Sequence, residues 1–253
     1  MSLIRLTGRL IGTAPEHRRV VLTHLPGHIR ETVREPGCLF FDIAQTDDPL
    51  VWTVSEGFAS RAAFDAHQAR TAASDWGAAT RGIGRDYRVE EAPPEILPET
   101  PDDARAIDLL TRAAFGAPEE ADLIAALRAS GDLALSLVAR FGRAYLGHVG
   151  FSRVAAPVPA WALAPVSVRE AVRGQGIAAR LIRDGIALAR ERGIKAIFVL
   201  GDPAYYARFG FSVAEARDFA SPYAGAYWQV LNLSGAALPG GKVTHAAPFA
   251  ALD

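Results

Sequence analysis

The chain has 253 residues, half of them hydrophobic, and a formal net charge of −1. That is long for one α/β domain and comfortable for two, and the charge balance gives no ground for a nucleic-acid or membrane surface. A single cysteine, Cys38, excludes an internal disulfide and a Cys-rich zinc site, and it fits a reducing compartment. No metal site is expected. The first residues, MSLIRLTGRLIG, are interrupted by Arg5 and Arg9 and do not read as a signal peptide. No apolar run approaches the ~18 residues of a membrane span, so the expectation is a soluble, cytoplasmic protein. Of the 27 Lys+Arg residues only Lys195 and Lys242 are lysines. Together with abundant Ala, Gly and Pro, this is the codon bias of a GC-rich genome, and no arginine is singled out for its type alone.

In chain order, LIRLTGRLIG predicts a first strand. APEHRRVVLTHLPGHIRETVRE predicts a helix with a break at Pro26-Gly27. GCLFFDIAQ and LVWTVSEGF are β-rich runs joined through the turn signal TDDP, and read as a hairpin. SRAAFDAHQAR opens on Ser60, a natural N-cap, and RDYRVEE closes the set as a strand. The order βαββαβ implies a four-stranded antiparallel sheet covered by helices on one face, which leaves the other face needing a partner. The proline-rich stretch EEAPPEILPETPDD, residues 90–103, reads as a boundary. It divides the chain into domains 1–93 and 94–253.

Beyond it, PDDARAIDLLTRAAF and PEEADLIAALRAS predict two helices, LALSLVARF and AYLGHVGFSRV a hairpin through Gly142-Arg143, and AWALAPVSV a strand. Next comes GQGIAARLIRDGIALARERG, amphipathic through Ile177, Leu181, Ile182 and Ile186 and ended by Gly193. KAIFVLG reads as a buried strand, PAYYARFG as a short helix, and FSVAEA and AYWQVLNL as final strands.

The most informative stretch is LAPVSVREAVRGQGIAARLI: strand, short loop, Gly-rich turn, helix. A helix N-terminus offers unpaired N–H groups and the positive end of the macrodipole. Glycines at 174 and 176 would let an anion approach that backbone. There is no Gly-Lys-Ser/Thr and no G-x-G-x-x-G, so this is neither a P-loop nor a dinucleotide fingerprint. Arg173-x-x-Gly176-x-Ala178 after a strand resembles the coenzyme A pyrophosphate loop of the GNAT N-acetyltransferase superfamily. VLGDPAYYARFGF, residues 199–211, resembles that family's C-terminal part, and the likeness covers roughly residues 95–233. It implies a GNAT acyl-CoA N-acyltransferase fold with a mixed sheet and acetyl-CoA as cosubstrate. By resemblance, the backbone of Val166, Ser167 and Val168 would pair with the pantetheine. The loop Arg173, Gly174, Gln175, Gly176, Ile177 and Ala178 would hold the pyrophosphate. Tyr206, four residues before Gly210 in Y-x-x-x-G-F, would protonate the departing thiolate; Tyr205 beside it is the decoy, and a core aromatic is the bland alternative. The acceptor would be a small-molecule amine, or alternatively a protein amine. A base must take its proton, and Glu120, between the first two helices, is the candidate, with Asp202 and His148 behind it. Each of these can equally be structural or solvated.

Residues 1–92 resemble the antibiotic-biosynthesis-monooxygenase (ABM) family through Glu35-Pro36-Gly37-Cys38, Asp48-Pro49, Glu56, Ala63-Phe64 and His67. The resemblance implies a ferredoxin-like domain that forms an αβ barrel in a homodimer. Trp52, Glu56, His67 and Trp76 are candidates for a pocket there, against the simpler reading of a structural Glu56–His67 pair. The reading is therefore an α+β, two-domain N-acetyltransferase with an ABM-like dimerisation or accessory domain. The alternatives are a bifunctional protein with a cofactor-independent monooxygenase and a non-catalytic acyl-CoA sensor.

Overall fold

The computed structural model describes residues 2–252. Two compact units meet in sequence between Glu95 and Ile96, with Phe141–Ala144 grouped with the first. In the first unit the elements are β1 (Leu3–Ile11), α1 (Pro15–Thr32), β2 (Cys38–Gln45), β3 (Val51–Phe58), α2 (Arg61–Ala73), α3 (Asp75–Ala79) and β4 (Gly84–Ala92). The strands are ordered β2-β3-β1-β4 and every pairing is antiparallel, the ferredoxin-like arrangement. Alternation along the strands puts Ile4, Leu6 and Leu10 of β1 with Trp52, Val54 and Phe58 of β3 on one face, against Val21 and Phe64 of the helices. Burying side chains such as Phe58 contributes roughly 1.5–3 kcal/mol each. Ser60 caps α2 by accepting from the Ala63 amide at 3.1 Å.

One feature of this unit differs from the sequence expectation. Helix α1 runs unbroken through Pro26. Proline there removes one backbone donor, yet Val20, Val21 and Leu25 before it and Ile29 after it pack on the same core, so tertiary packing holds both halves in line. The second sheet face carries Arg5, Thr7, Arg9, Thr53 and Ser55 together with the buried side chains of Leu3 and Phe40.

The second unit has β5 (Glu95–Pro98), α4 (Ala104–Phe115), α5 (Glu119–Ser130), β6 (Leu133–Phe141), β7 (Ala144–Ala155), β8 (Ala160–Val168), α6 (Ile177–Glu191), β9 (Ala196–Leu200), α7 (Pro203–Tyr206), α8 (Val213–Ala216), β10 (Phe219–Ala220), β11 (Trp228–Asn232), β12 (Gly241–Lys242) and β13 (Thr244–His245). Its main sheet is ordered β11-β9-β8-β7-β6-β5, with β13 also on β7. The β8–β9 pair is parallel and the β7–β8 and β9–β11 pairs are antiparallel, so the sheet is mixed. The proline-rich stretch read as a boundary contains β5, which sits at the sheet's end, where Pro98 is tolerated. FSVAEA, expected as a strand, forms helix α8 instead. The Ser212 side chain accepts from the Glu215 amide at 3.2 Å, the local capping pattern Ser-x-x-Glu that the β-prone residues obscured.

Candidate active site

Strand β8 pairs with β9 only from Ala160–Ala196 to Leu163–Val199. Its remainder, Val166 to Val168, stays paired with β7 on one side and has no strand on the other. The chain then turns through Arg173–Gly176 into α6. Gly174 and Gly176 have φ of 75° and 81°, the left-handed region that favours glycine. A Cβ on either would meet nothing within 4 Å, so both point at open space. No side chain caps α6. Its first-turn N–H groups therefore face outward with the positive end of the dipole.

This turn, the free flank of β8 and Tyr206 line one cleft of about 520 Å³. Val166, Ser167, Val168, Arg173, Gly174, Gly176, Ile177 and Ala178 are all on its wall. Several can act only through the backbone. The Ser167 hydroxyl is buried and lies 3.3 Å from the Thr111 hydroxyl, and the Ile177 side chain is in the core. The guanidinium of Arg173 donates to the carbonyls of Ala114 at 2.7 Å and Val168 at 3.3 Å, so it braces the loop. Gln175 bonds through its amide to the Val172 carbonyl at 3.4 Å.

Tyr206 is 8 % exposed, and burial pushes its phenol up to about 12. The group stays protonated throughout the neutral range and can donate. Its ring packs edge-on against Tyr205 and Phe211. Gly201 makes room for it: a Cβ there would sit 2.4 Å from the Tyr206 ring.

A second chamber, about 430 Å³, shares Phe115, Val166 and Tyr206 with the cleft. Glu120 lines it, together with His245 and Trp228 from the C-terminal part of the chain, which no sequence motif singled out. The other two candidate bases lie outside this chamber, Asp202 on the wall of the first cleft. Asp202 caps α7 by accepting from the Ala204 amide at 2.9 Å. His148 is fully buried, 2.8 Å from the Ser136 hydroxyl, and lines neither cavity. Burial, and then Arg128, lowers it to about 3, so it is a neutral structural group.

The first unit holds a buried polar cluster of its own. Imidazole Nδ1 of His67 is 2.7 Å from Glu35, and Nε2 is 3.4 Å from Glu56. Arg70 donates to Glu35 at 2.6 Å and to the Thr32 hydroxyl at 2.7 Å. His28 stacks on Trp76 at 4.8 Å, and both line a cavity of about 560 Å³ with Arg70. The expected Glu56–His67 pair is present, but Glu35, Arg70 and His28 complete it, whereas Trp52 is a core residue. Burial raises Glu56 to about 8, with the Glu35 charge adding to it; burial lowers His67. Nδ1–H of His67 can then donate to Glu35, while the Glu56 oxygen 3.4 Å from Nε2 makes no hydrogen bond.

The folded pKa of Glu56 lies above its unfolded value of 4.5. Between pH 4.5 and about 8 the unfolded state has lost this proton and the folded state has not, so stability falls as pH rises through that window. Glu56→Gln, which keeps a donor, is expected to stabilise the unit at pH 8 by about 4 kcal/mol and to be neutral below pH 4.5. Thermal melts across pH 4–9 check it; a gain that does not grow with pH sinks it.

Residues 8–79 match the model of the antibiotic biosynthesis monooxygenase family, and residues 101–211 that of the acetyltransferase (GNAT) family. The chain is 40% identical over 151 residues to the uncharacterized N-acetyltransferase YhbS of Escherichia coli, which covers 57% of this chain and 90% of that one. The crystal structure of Escherichia coli YhbS in complex with CoA superposes with a TM-score of 0.59 at 37% identity, over 62% of this chain and 92% of that one. A GNAT family acetyltransferase from Brucella melitensis, in complex with acetyl-CoA, gives 0.54 at 38% identity, over 62% and 97%. With its sheet order, its uncapped Gly-rich helix start and these relatives in agreement, the chain belongs to the GNAT family of N-acetyltransferases.

Proposed function

We propose that the domain from residue 94 onward transfers the acetyl group of acetyl-CoA to the amine of a small molecule. The observation that carries this reading is the single cleft formed by the unpaired flank of β8, the uncapped start of α6 and Tyr206. The backbone of residues 174–178 would receive the pyrophosphate. The free flank of Val166–Val168 would pair with the pantetheine amides and aim the thioester at Tyr206. The amine nitrogen attacks the thioester carbon; as the C–S bond breaks, the Tyr206 phenol gives its proton to sulfur. Glu120 is the carboxylate on the acceptor side, placed to meet an incoming ammonium. Support comes from the two structural relatives that hold CoA or acetyl-CoA. Thiol release from acetyl-CoA, assayed over a panel of amines, tests the reading. Tight acetyl-CoA binding with no turnover on any amine would instead make the chain an acyl-CoA sensor.

The domain of residues 1–93 is assigned a dimerisation or accessory role. Its resemblance to ABM proteins carries the dimer. Light scattering of the full chain is expected to give the mass of a homodimer, and charge-reversing the exposed Arg9 on that face to weaken it. A monomer at tens of micromolar would end this part of the proposal. The 560 Å³ cavity beside Arg70 and Trp76 favours a second reading, an oxygenase; oxygen uptake with quinol-type aromatics tests it. Among the described residues no helix is long and apolar enough to cross a membrane, and a cytoplasmic site of action is part of the same proposal.

A further inference from the structure

The second chamber has a composition that goes beyond its place beside Tyr206. Its walls combine an aromatic side with an aliphatic one formed by residues such as Leu123, Leu163 and Val199. Phe198 and Trp228 stack at 5.1 Å and 5°, and the ring of His245 meets Tyr223 at 5.0 Å, Trp228 at 5.5 Å and Phe249 at 4.9 Å. Among its described lining residues there is no lysine or arginine, and Glu120 is the one carboxylate. Four polar atoms of these residues are buried without a hydrogen-bond partner: Oε2 of Glu120, both ring nitrogens of His245 and Nε1 of Trp228. A buried polar group left without a partner is costly, and several gathered at one cavity point to a ligand that satisfies them. Tyr223, Trp228, His245 and Phe249 all lie beyond residues 101–211, the stretch matched by the family model. His245 is brought to the chamber by β13, whose pairing on β7 sets it opposite Val154.

We propose that this chamber binds a primary amine carried on a flat, uncharged aromatic body, an arylalkylamine, with Glu120 as countercharge to the ammonium and His245 as the base that deprotonates it. The inference rests on the acetyl-transfer reading above. Aromatic walls receive the ring, and a cation at the edge of such walls gains from their faces as well. A lone carboxylate without a neighbouring cation favours an ammonium and disfavours an acceptor that carries its own carboxylate or phosphate. The groups packed on His245 are the rings of Tyr223, Trp228 and Phe249, with Glu120 lining the same chamber. Burial lowers His245 from its usual value, so its imidazole is neutral and has a free lone pair at pH 7. Two protons leave the nitrogen. The first goes to His245 and then to solvent before attack. The second leaves as the C–N bond forms and the C–S bond breaks, and it replaces on the Tyr206 oxygen the proton given to sulfur.

The test uses the full-length protein and has a binding arm and a rate arm. Calorimetry of 2-phenylethylamine into protein saturated with coenzyme A should show binding at least tenfold tighter than for butylamine, phenylalanine or spermidine. Glu120→Gln should weaken that binding at least tenfold and leave acetyl-CoA affinity unchanged. His245→Asn should leave amine binding within about threefold but lower kcat by about a hundredfold at pH 7. That deficit should shrink as pH rises toward the amine's own pKa, because the free amine then arrives without help. His245→Gln is the second variant, and retained acetyl-CoA affinity certifies the fold of each. Acetylation of alkylamines or polyamines in preference to 2-phenylethylamine overturns the substrate class while sparing the transferase reading. A pH-independent deficit in both His245 variants overturns the base. Failure of the wild type to bind acetyl-CoA overturns the transferase reading and this inference with it.

Discussion

Gly176→Asp is expected to lower acetyl-CoA affinity at least a hundredfold, and Gly176→Asn, of the same shape without the charge, far less. Gly176 precedes the first turn of α6 with φ 81°, and a side chain there points into the open cleft. Any non-glycine residue pays for the left-handed backbone, of order 1–2 kcal/mol and least for Asn and Asp. That cost is common to the pair and cancels in their comparison. What remains is a carboxylate set where the proposed pyrophosphate lies, against amides and a dipole that favour just one anion. Two powers of ten correspond to about 2.8 kcal/mol, within reach of lost backbone contacts plus direct repulsion. Calorimetry with acetyl-CoA on both folded variants decides it. Equal affinities would mean that the two glycines serve the turn alone.

Tyr206→Phe is expected to lower kcat by about a hundredfold with acetyl-CoA affinity little changed. The phenol is protonated up to about 12, so it can donate at any assay pH. General acid catalysis is worth ~10²–10⁴-fold; a thiol, with a reference pKa of about 8.5, is a tolerable leaving group, which places the effect at the low end. Phenylalanine keeps the ring contacts with Tyr205 and Phe211. An interaction made only as the C–S bond breaks is lost from kcat and not from binding. The fall should be flat with pH from 6 to 9, because the Tyr206 phenol does not titrate there. Tyr205, which also lines the cleft, supplies the matched control, and Tyr205→Phe should be nearly silent. Small, equal losses at both positions would make Tyr206 a core aromatic and remove it from the chemistry.

The sequence by itself determined what neighbours along the chain decide. β-rich runs and turn signals placed the strands of the first unit, 3.6-residue spacing placed α6, Ser60 announced the start of α2, and the glycines at 174 and 176 announced a turn ahead of a helix. The Gly-rich turn and Tyr206 were legible as candidates because each lies inside a short local pattern. Tertiary structure decided the rest. Packing on both sides of Pro26 kept α1 straight against a local helix breaker. His67 met Glu35, 32 positions away, and Arg70 met Glu35 from 35 positions away, so no window along the chain could have assembled that cluster. His148 carried no local mark of burial, yet Ser136 and its neighbours closed around it and removed it from the list of bases. His245 reached the second chamber through the pairing of β13 with β7 and the rings of Tyr223, Trp228 and Phe249. Local patterns report backbone preference and which face is apolar. Which distant groups share a buried space depends on how the whole sheet and its covering segments pack, and a proton's cost in that space is set by those distant neighbours.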